Sequence, residues 1–209
     1  MPQVLIFDYD GVIVDSLPIF MTYFIEACKQ QGYPEIATKQ EFLQLFNGNM
    51  FDQMMKRGMN KKTILNIVYK LKEGLEKHRS EINIFPNMKI VLEQLSKHHR
   101  LIISTSNETT FVRNHLKREK INDLFNHIYG SDVEPSKVKK IHLIQNKNPE
   151  KKYSYIGDTI GDILEGKQAQ VQTIAVSWGW HKKKELLNAK PDLIVDRPTD
   201  LLSLFTEKS

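Results

Sequence analysis

From Phe85 onward the chain alternates short apolar runs with stretches of helical period, and this alternation most restricts what it can fold into. The runs fall at 101–105, 127–130, 153–157 and 171–176, and the helical stretches at 87–97, 109–118, 137–146 and 161–169. Strands that each feed a helix before the next strand cannot pair as hairpins, so they lie parallel and the helices cover the sheet. One more apolar run, at 3–7, supplies an N-terminal strand. The expected fold class is α/β, a Rossmann-like doubly wound parallel sheet. The segment from about Leu17 to Ile82 breaks this pattern, with helical periodicity and no convincing strand, and reads as an inserted α-helical cap. Residues 1–15 and 83–209 then form the core domain and 16–82 the cap. Cap helices are expected in PIFMTYFIEACKQQ, in TKQEFLQLF with a Thr38–Glu41 capping box, in MFDQMMKR, and from Asn60 through NKKTILNIVYKLKEGLEKH. Gly32, Gly48 and Gly58 punctuate them, and Met50, Phe51, Met54 and Met55 are expected to pack between them.

Ligands of open parallel sheets bind at the carboxyl ends of the strands, and those ends carry the chemistry here. Asp8 and Asp10 follow VLIF two residues apart; in extended chain such positions project the same way. Two carboxylates about 4 Å apart repel by about 4 kcal/mol at an effective dielectric near 20, a cost that a divalent ion or a shared proton relieves. The run RLIISTSN ends in the hydroxyls of Ser104, Thr105 and Ser106, with Asn107 as a helix cap; hydroxyls and a helix N-terminus suit phosphate oxygens. The stretch EPSKVKKIHLI sets Lys137 at the start of an amphipathic helix whose Ile141, Leu143 and Ile144 point inward, with Lys139 and Lys140 as alternative cations. In YSYIGDTIGDILEG, Asp158 and Asp162 add carboxylates four residues apart, completing an acidic cup for a hard metal, although Asp162 also suits a helix cap.

Asp-x-Asp, then Ser or Thr, then Lys, then Gly-Asp-x-x-x-Asp, in that order, resembles the haloacid dehalogenase-like phosphatase superfamily over nearly the whole chain. The stretches INIFPNMKIVLEQLSKHHRLIISTS and VSWGWHKKKELLNAKPDLIV look like its phosphoglycolate phosphatase and β-phosphoglucomutase group. The resemblance implies that Asp8 is a nucleophile forming an aspartyl-phosphate and that Asp10 is the general acid and base. It implies Mg2+ held by Asp8, Asp158 and the backbone carbonyl of Asp10, with Asp162 as ligand or support. Thr105 and Lys137 would hold the transferring phosphoryl group, assisted by the backbone after Thr105 at Ser106 and Asn107. The cap's substrate loop would surround Gly48, with Asn47 and Asn49. Two departures bear on the substrate. Val12 replaces a common Thr, and the Arg often found before the loop glycine is absent from LFNGNM, which disfavours the alternative of a sugar-phosphate mutase. A different class, a non-catalytic phosphate-responsive module, is disfavoured by the helical insert behind the first strand and by the presence of Asp10.

A formal charge of +5 invites a nucleic-acid reading, but the lysines of KRGMNKK, LKREK, SKVKK, NKNPEKK and HKKKE are interleaved with acids and look like solvated faces. No nucleic acid is expected as a partner; a small phosphorylated metabolite is. Hydrophobic residues make up 40% of the chain with no run near the ~20 needed to span a membrane. Met1 and Pro2 lead straight into a strand, and Cys28 is the sole cysteine, an apolar filler on a cap helix; a cytoplasmic location and a monomer are the expectations.

Overall fold

The computed structural model describes residues 2–147 and 152–205. Residues 148–151, within the basic stretch NKNPEKK, and the core-domain ends at 1 and 206–209 lie outside the described residues.

Six parallel strands form the sheet: β1 (Val4–Phe7), β4 (Arg100–Ser104), β5 (His127–Tyr129), β6 (Tyr153–Gly157), β7 (Gln172–Val176) and β8 (Leu193–Val195), in the spatial order β5-β4-β1-β6-β7-β8. Every residue of β1 is buried, and alternate side chains serve opposite faces. Leu5 and Phe7 join Val91, Leu92 and Leu95 of α5 (Met88–Leu95), Val112 and Leu116 of α6 (Thr109–Arg118), and Leu201 and Phe205 of α10 (Asp200–Phe205). Val4 and Ile6 pack with Ile141 and Ile144 of α7 (Lys137–Asn146). Each such fully buried side chain contributes roughly 1.5–3 kcal/mol, which explains why the central strands read as unbroken apolar runs.

Between β2 (Val14–Asp15) and β3 (Asn83–Ile84), which pair antiparallel, the chain forms the helical insert: α1 (Leu17–Gln30), α2 (Lys39–Gln44), α3 (Met50–Lys56) and α4 (Lys61–Lys77). The Thr38–Glu41 capping box starts α2 and Asn60 caps α4, as their spacing in the sequence predicts. Phe24, Cys28, Phe42, Met54 and Ile64 of the insert belong to the same apolar cluster as Leu5 and Phe7, so insert and sheet share one core. Two packing expectations fail. Met55 and Leu143 are exposed, at 56% and 41%, because each falls off the buried stripe of its helix. The β2–β3 ribbon, α9 (Lys183–Asn188), β8 and α10 have no counterpart in the sequence reading; elements of two to six residues are too short for periodicity to register. Among the described residues, no helix is long and apolar enough to cross a membrane.

Candidate active site

Because β1 lies between β4 and β6, the residues that leave these strands, Asp8, Thr105 and Asp158, arrive at one end of the sheet side by side. The backbone still follows the strand direction there: Asp8 N–H donates to Ile156 O at 2.9 Å and Thr105 N–H to Tyr129 O at 3.0 Å. Gly11 turns the chain away at φ +75°, packed so closely on the Asp158 carboxylate that no side chain fits. Asp162 enters from the first turn of α8 (Ile160–Gln168). Carboxylate oxygens of Asp8, Asp158 and Asp162 come within 4.8 Å of one another, all three residues buried.

Lys137 Nζ reaches into this trio from α7, donating to Asp8 Oδ2 at 2.8 Å and to Asp162 Oδ1 at 2.7 Å. Asp162 also accepts from Tyr155 OH on Oδ1 and from Thr159 Oγ1 and N–H on Oδ2, so it caps α8 and orders the lysine together. Asp158 Oδ2 accepts the Trp180 N–H at 2.7 Å, while its Oδ1 is buried without a hydrogen-bond partner. An orphaned carboxylate oxygen in such a place is costly unless something outside the chain's own donors meets it.

Charge points to what that something is. Fully ionised, three carboxylates against one ammonium would leave two negative charges uncompensated, so the cluster holds protons instead: burial raises Asp8 to about 7 even with Lys137 opposing it. Burial, with Asp162 and Asp8 nearby, pushes Asp158 well above the carboxylate range. Burial also pulls Lys137 down, yet Asp162 and Asp8 overcome it and hold the ammonium well above the ordinary lysine range. A divalent cation with a preference for oxygen ligands fits the donor set, the missing charge and the free Oδ1.

The Asp10 carboxylate stands outside this trio. Its Oδ1 accepts from Ser16 Oγ at 2.6 Å and its Oδ2 from Asn107 Nδ2 at 2.7 Å; burial raises it to about 6, against the pull of those two bonds. As a metal ligand, Asp10 therefore has only its backbone carbonyl to offer. Asn107 is not the helix cap expected from the sequence: Glu108 takes that position, and the Asn107 side chain serves Asp10 while its N–H donates to Thr105 Oγ1 at 3.1 Å. Between the two aspartates, Tyr9 OH donates to His115 Nδ1 at 2.5 Å; the opposite Nε2 donates to the carbonyl of Ile82, which can only accept and so fixes the tautomer. Tyr9→Phe leaves that buried nitrogen unpartnered, an expected cost of about 1–3 kcal/mol and a melting point lower by about 2–12 °C. An unchanged thermal melt would show that this bond adds nothing to the fold.

Of the remaining candidates, Thr105 is fully buried and Ser106 is exposed. Among the lysines, Lys139 is exposed, whereas Lys140 is buried and donates Nζ to the Thr105 carbonyl, supporting the loop from behind; burial and Lys137 lower it to about 8. In the insert, Asn47 is exposed, Asn49 Oδ1 caps α3, and the Gly48 backbone abuts Gly161 at the start of α8. Sequence reasoning missed Ser16, Tyr155, Trp180 and His181, and it offered Lys140 only as an alternative cation, not as the support of the Thr105 loop. Only Lys140 carried a usable signal, falling with Lys137, Ile141 and Ile144 on one helix face.

Comparison with known proteins agrees with this geometry. Residues 5–176 match the haloacid dehalogenase-like hydrolase family model. A phosphoglycolate phosphatase of Synechococcus elongatus is 25% identical over 98% of both chains, and pyrophosphatase PpaX of Bacillus cereus 22% identical over 97% of this chain and 95% of that protein. A haloacid dehalogenase-like hydrolase structure from Streptococcus pneumoniae superposes with a TM-score of 0.81 at 28% identity, covering 98% of this chain and 99% of that one. The chain belongs to the haloacid dehalogenase-like hydrolase family.

Proposed function

We propose that this haloacid dehalogenase-like hydrolase is a magnesium-dependent phosphatase that cleaves a small phosphomonoester, of the size of phosphoglycolate, through an aspartyl-phosphate on Asp8. The observation that carries the reading is the division of labour among the aspartates: Asp8 sits in the acidic trio beside Lys137, and Asp10 is held apart by Ser16 and Asn107. On this reading, Asp8 attacks phosphorus and the leaving oxygen takes its proton from Asp10. Asp10, now ionised, accepts a proton from the water that attacks the aspartyl-phosphate; inorganic phosphate departs and Asp8 is regenerated. Asp10 at about 6 can serve both directions near neutral pH. Thr105 and Lys137 hold nonbridging phosphoryl oxygens, where charge is balanced without covalent help.

Magnesium, carried by Asp8, Asp158 and the Asp10 carbonyl with Asp162 as ligand or support, would supply positive charge against the phosphoryl oxygens. The domain division is core at 1–15 and 83–209 and cap at 16–82, the cap enclosing the ester through Gly48 and its neighbours. Hydrolysis is favoured over mutase chemistry because Asn47 and Asn49 bring no positive charge for a second phosphate. A monomer in the reducing cytoplasm is consistent with Cys28, which is buried and free.

The test is phosphate release from a panel of small phosphomonoesters, nucleotides, sugar phosphates and pyrophosphate, with magnesium or with chelator. Magnesium-dependent release, strongest for a short anionic monoester, is expected. A folded protein that cleaves none of them would end the phosphatase reading, and preference for pyrophosphate would replace the substrate class.

A further inference from the structure

The acidic trio and Thr105 are buried, the Lys137 side chain is only 11% exposed, and the seam between cap and core runs beside them at Gly48 and Gly161, so the route of an ester to Asp8 is set by how the two meet. What holds the two together therefore governs access. Thr159, the residue after Asp158, is the N-cap of α8, and the amides of the first turn have no acceptor within the helix. Thr159 Oγ1 accepts from Asp162 N–H. Of the other two amides, Gly161 N–H donates across the seam to Phe46 O at 2.8 Å, and Ile160 N–H donates within the core to His181 Nδ1 at 3.0 Å. On its far side the same imidazole donates Nε2–H to Leu43 O at 3.0 Å.

We propose that His181 is a positioning residue, a polar bridge that fastens the 43–48 segment of the cap to the first turn of α8 and so sets cap closure. The ring is 2% exposed, and its two nitrogens are matched to one group that can only donate and one that can only accept. The His181 backbone N–H donates to the Asp158 carbonyl at 3.3 Å, tying the bridge to the acidic trio itself. Gly161 lets the cap come this close: a Cβ there would lie 2.7 Å from Gly48 O and 3.0 Å from Phe46 O. The preceding residue, Trp180, seals the seam with its ring 4.9 Å from that of Phe20 and 4.8 Å from that of Phe46, both in the cap segment. On the other side, the Lys72–Glu108 pair at 2.6 Å also joins cap to core, but both side chains are about half exposed, and pairs of that kind contribute little.

The kinetic half of the test rests on the phosphatase reading; the optical half does not. The chain's two tryptophans, Trp178 and Trp180, both lie in the segment that follows β7, so intrinsic emission and its quenching by acrylamide report on the seam in ligand-free protein. His181→Phe keeps a planar ring and removes both bonds; His181→Gln retains one acceptor and one donor. Losing the bridge is expected to lower the closure equilibrium by about tenfold, giving red-shifted, more quenchable emission in the Phe variant and an intermediate change in the Gln variant. With a cleaved ester, KM should rise by about tenfold in the Phe variant with kcat changed less. Competitive inhibition by inorganic phosphate, which reads the core groups alone, should stay as in the wild type. Unchanged quenching together with wild-type KM would overturn the proposal. So would phosphate inhibition that weakens in step with KM, because that would put His181 in the phosphate site. Should His181→Phe fail to fold, Gly161→Ala pushes the cap off from the other side with His181 intact; the same optical change is expected, and its absence would equally overturn the proposal. If no ester is cleaved, the quenching comparison decides alone.

Discussion

Asp8→Asn is expected to remove turnover by on the order of 10⁴-fold or more, while the protein stays folded and, in chelator, becomes more resistant to heat. The activity loss follows from chemistry: an amide of the same shape cannot attack phosphorus. The gain in stability follows from the electrostatics. Burial raises Asp8 to about 7 from the ordinary 3.8, so in cation-free protein at pH 8 its ionised form opposes folding by on the order of 4 kcal/mol. The amide removes one of three crowded carboxylates. Lys137 keeps its 2.7 Å bond to Asp162, and the amide oxygen can still accept the Tyr9 N–H that Asp8 Oδ1 accepts at 2.8 Å. Phosphate release and thermal melting of the same preparation read both halves. Activity within tenfold of wild type would move the nucleophile elsewhere, and a sharply lower melting point in chelator would show that Asp8 stabilises the fold instead of straining it.

The parts of this site that were legible in the sequence share one property: they follow elements whose signal is local. β1, β4 and β6 are buried on both faces and so appear as apolar runs, and residues placed after them inherit a position. Helix caps such as Thr38 and Asn60 act over three residues and were equally visible. What the sequence hid was pairing at long range. Tyr9 and His115 are separated by 106 positions, and nothing local marks a tyrosine between two aspartates as a hydrogen-bond donor to a distant imidazole. Asn107 shows the opposite failure. The local rule made it a helix cap, but its side chain goes to Asp10, 97 positions away, where a half-buried carboxylate needs the donor more than a solvent-accessible helix end does. His181 combines both difficulties, since its role exists only where residues 43, 160 and 181 meet.

Magnesium should raise the melting temperature strongly at pH 8 and weakly at pH 5. At about a hundred times its dissociation constant a bound ion contributes about 2.7 kcal/mol, which in a chain of 209 residues corresponds to a shift of about 5–10 °C. The pH dependence comes from the ligands. On the proposed ligand set, Asp8, at about 7, and Asp158, held well above the carboxylate range, would each lose a proton to bind, so acid would compete with the metal for the same oxygens. In chelator the trend has the opposite sign. A carboxyl whose folded pKa lies above its unfolded value binds more protons in the native state, so Asp8 favours folding most below about 3.8, and that contribution is lost as pH rises through about 7. The chelated and magnesium-loaded melting curves should therefore diverge between pH 5 and pH 8. Asp158→Asn, which removes the orphaned Oδ1 from the ligand set, should bring them back together. Parallel curves would place the ion away from the trio. Divergence that persists in Asp158→Asn would leave Asp8 and Asp162 as sufficient ligands. Divergence abolished by that substitution would mean that the repulsion burdening the empty cluster is the same interaction that gives the cation its affinity, so that a site unfavourable to folding on its own is made favourable by the ion its chemistry requires.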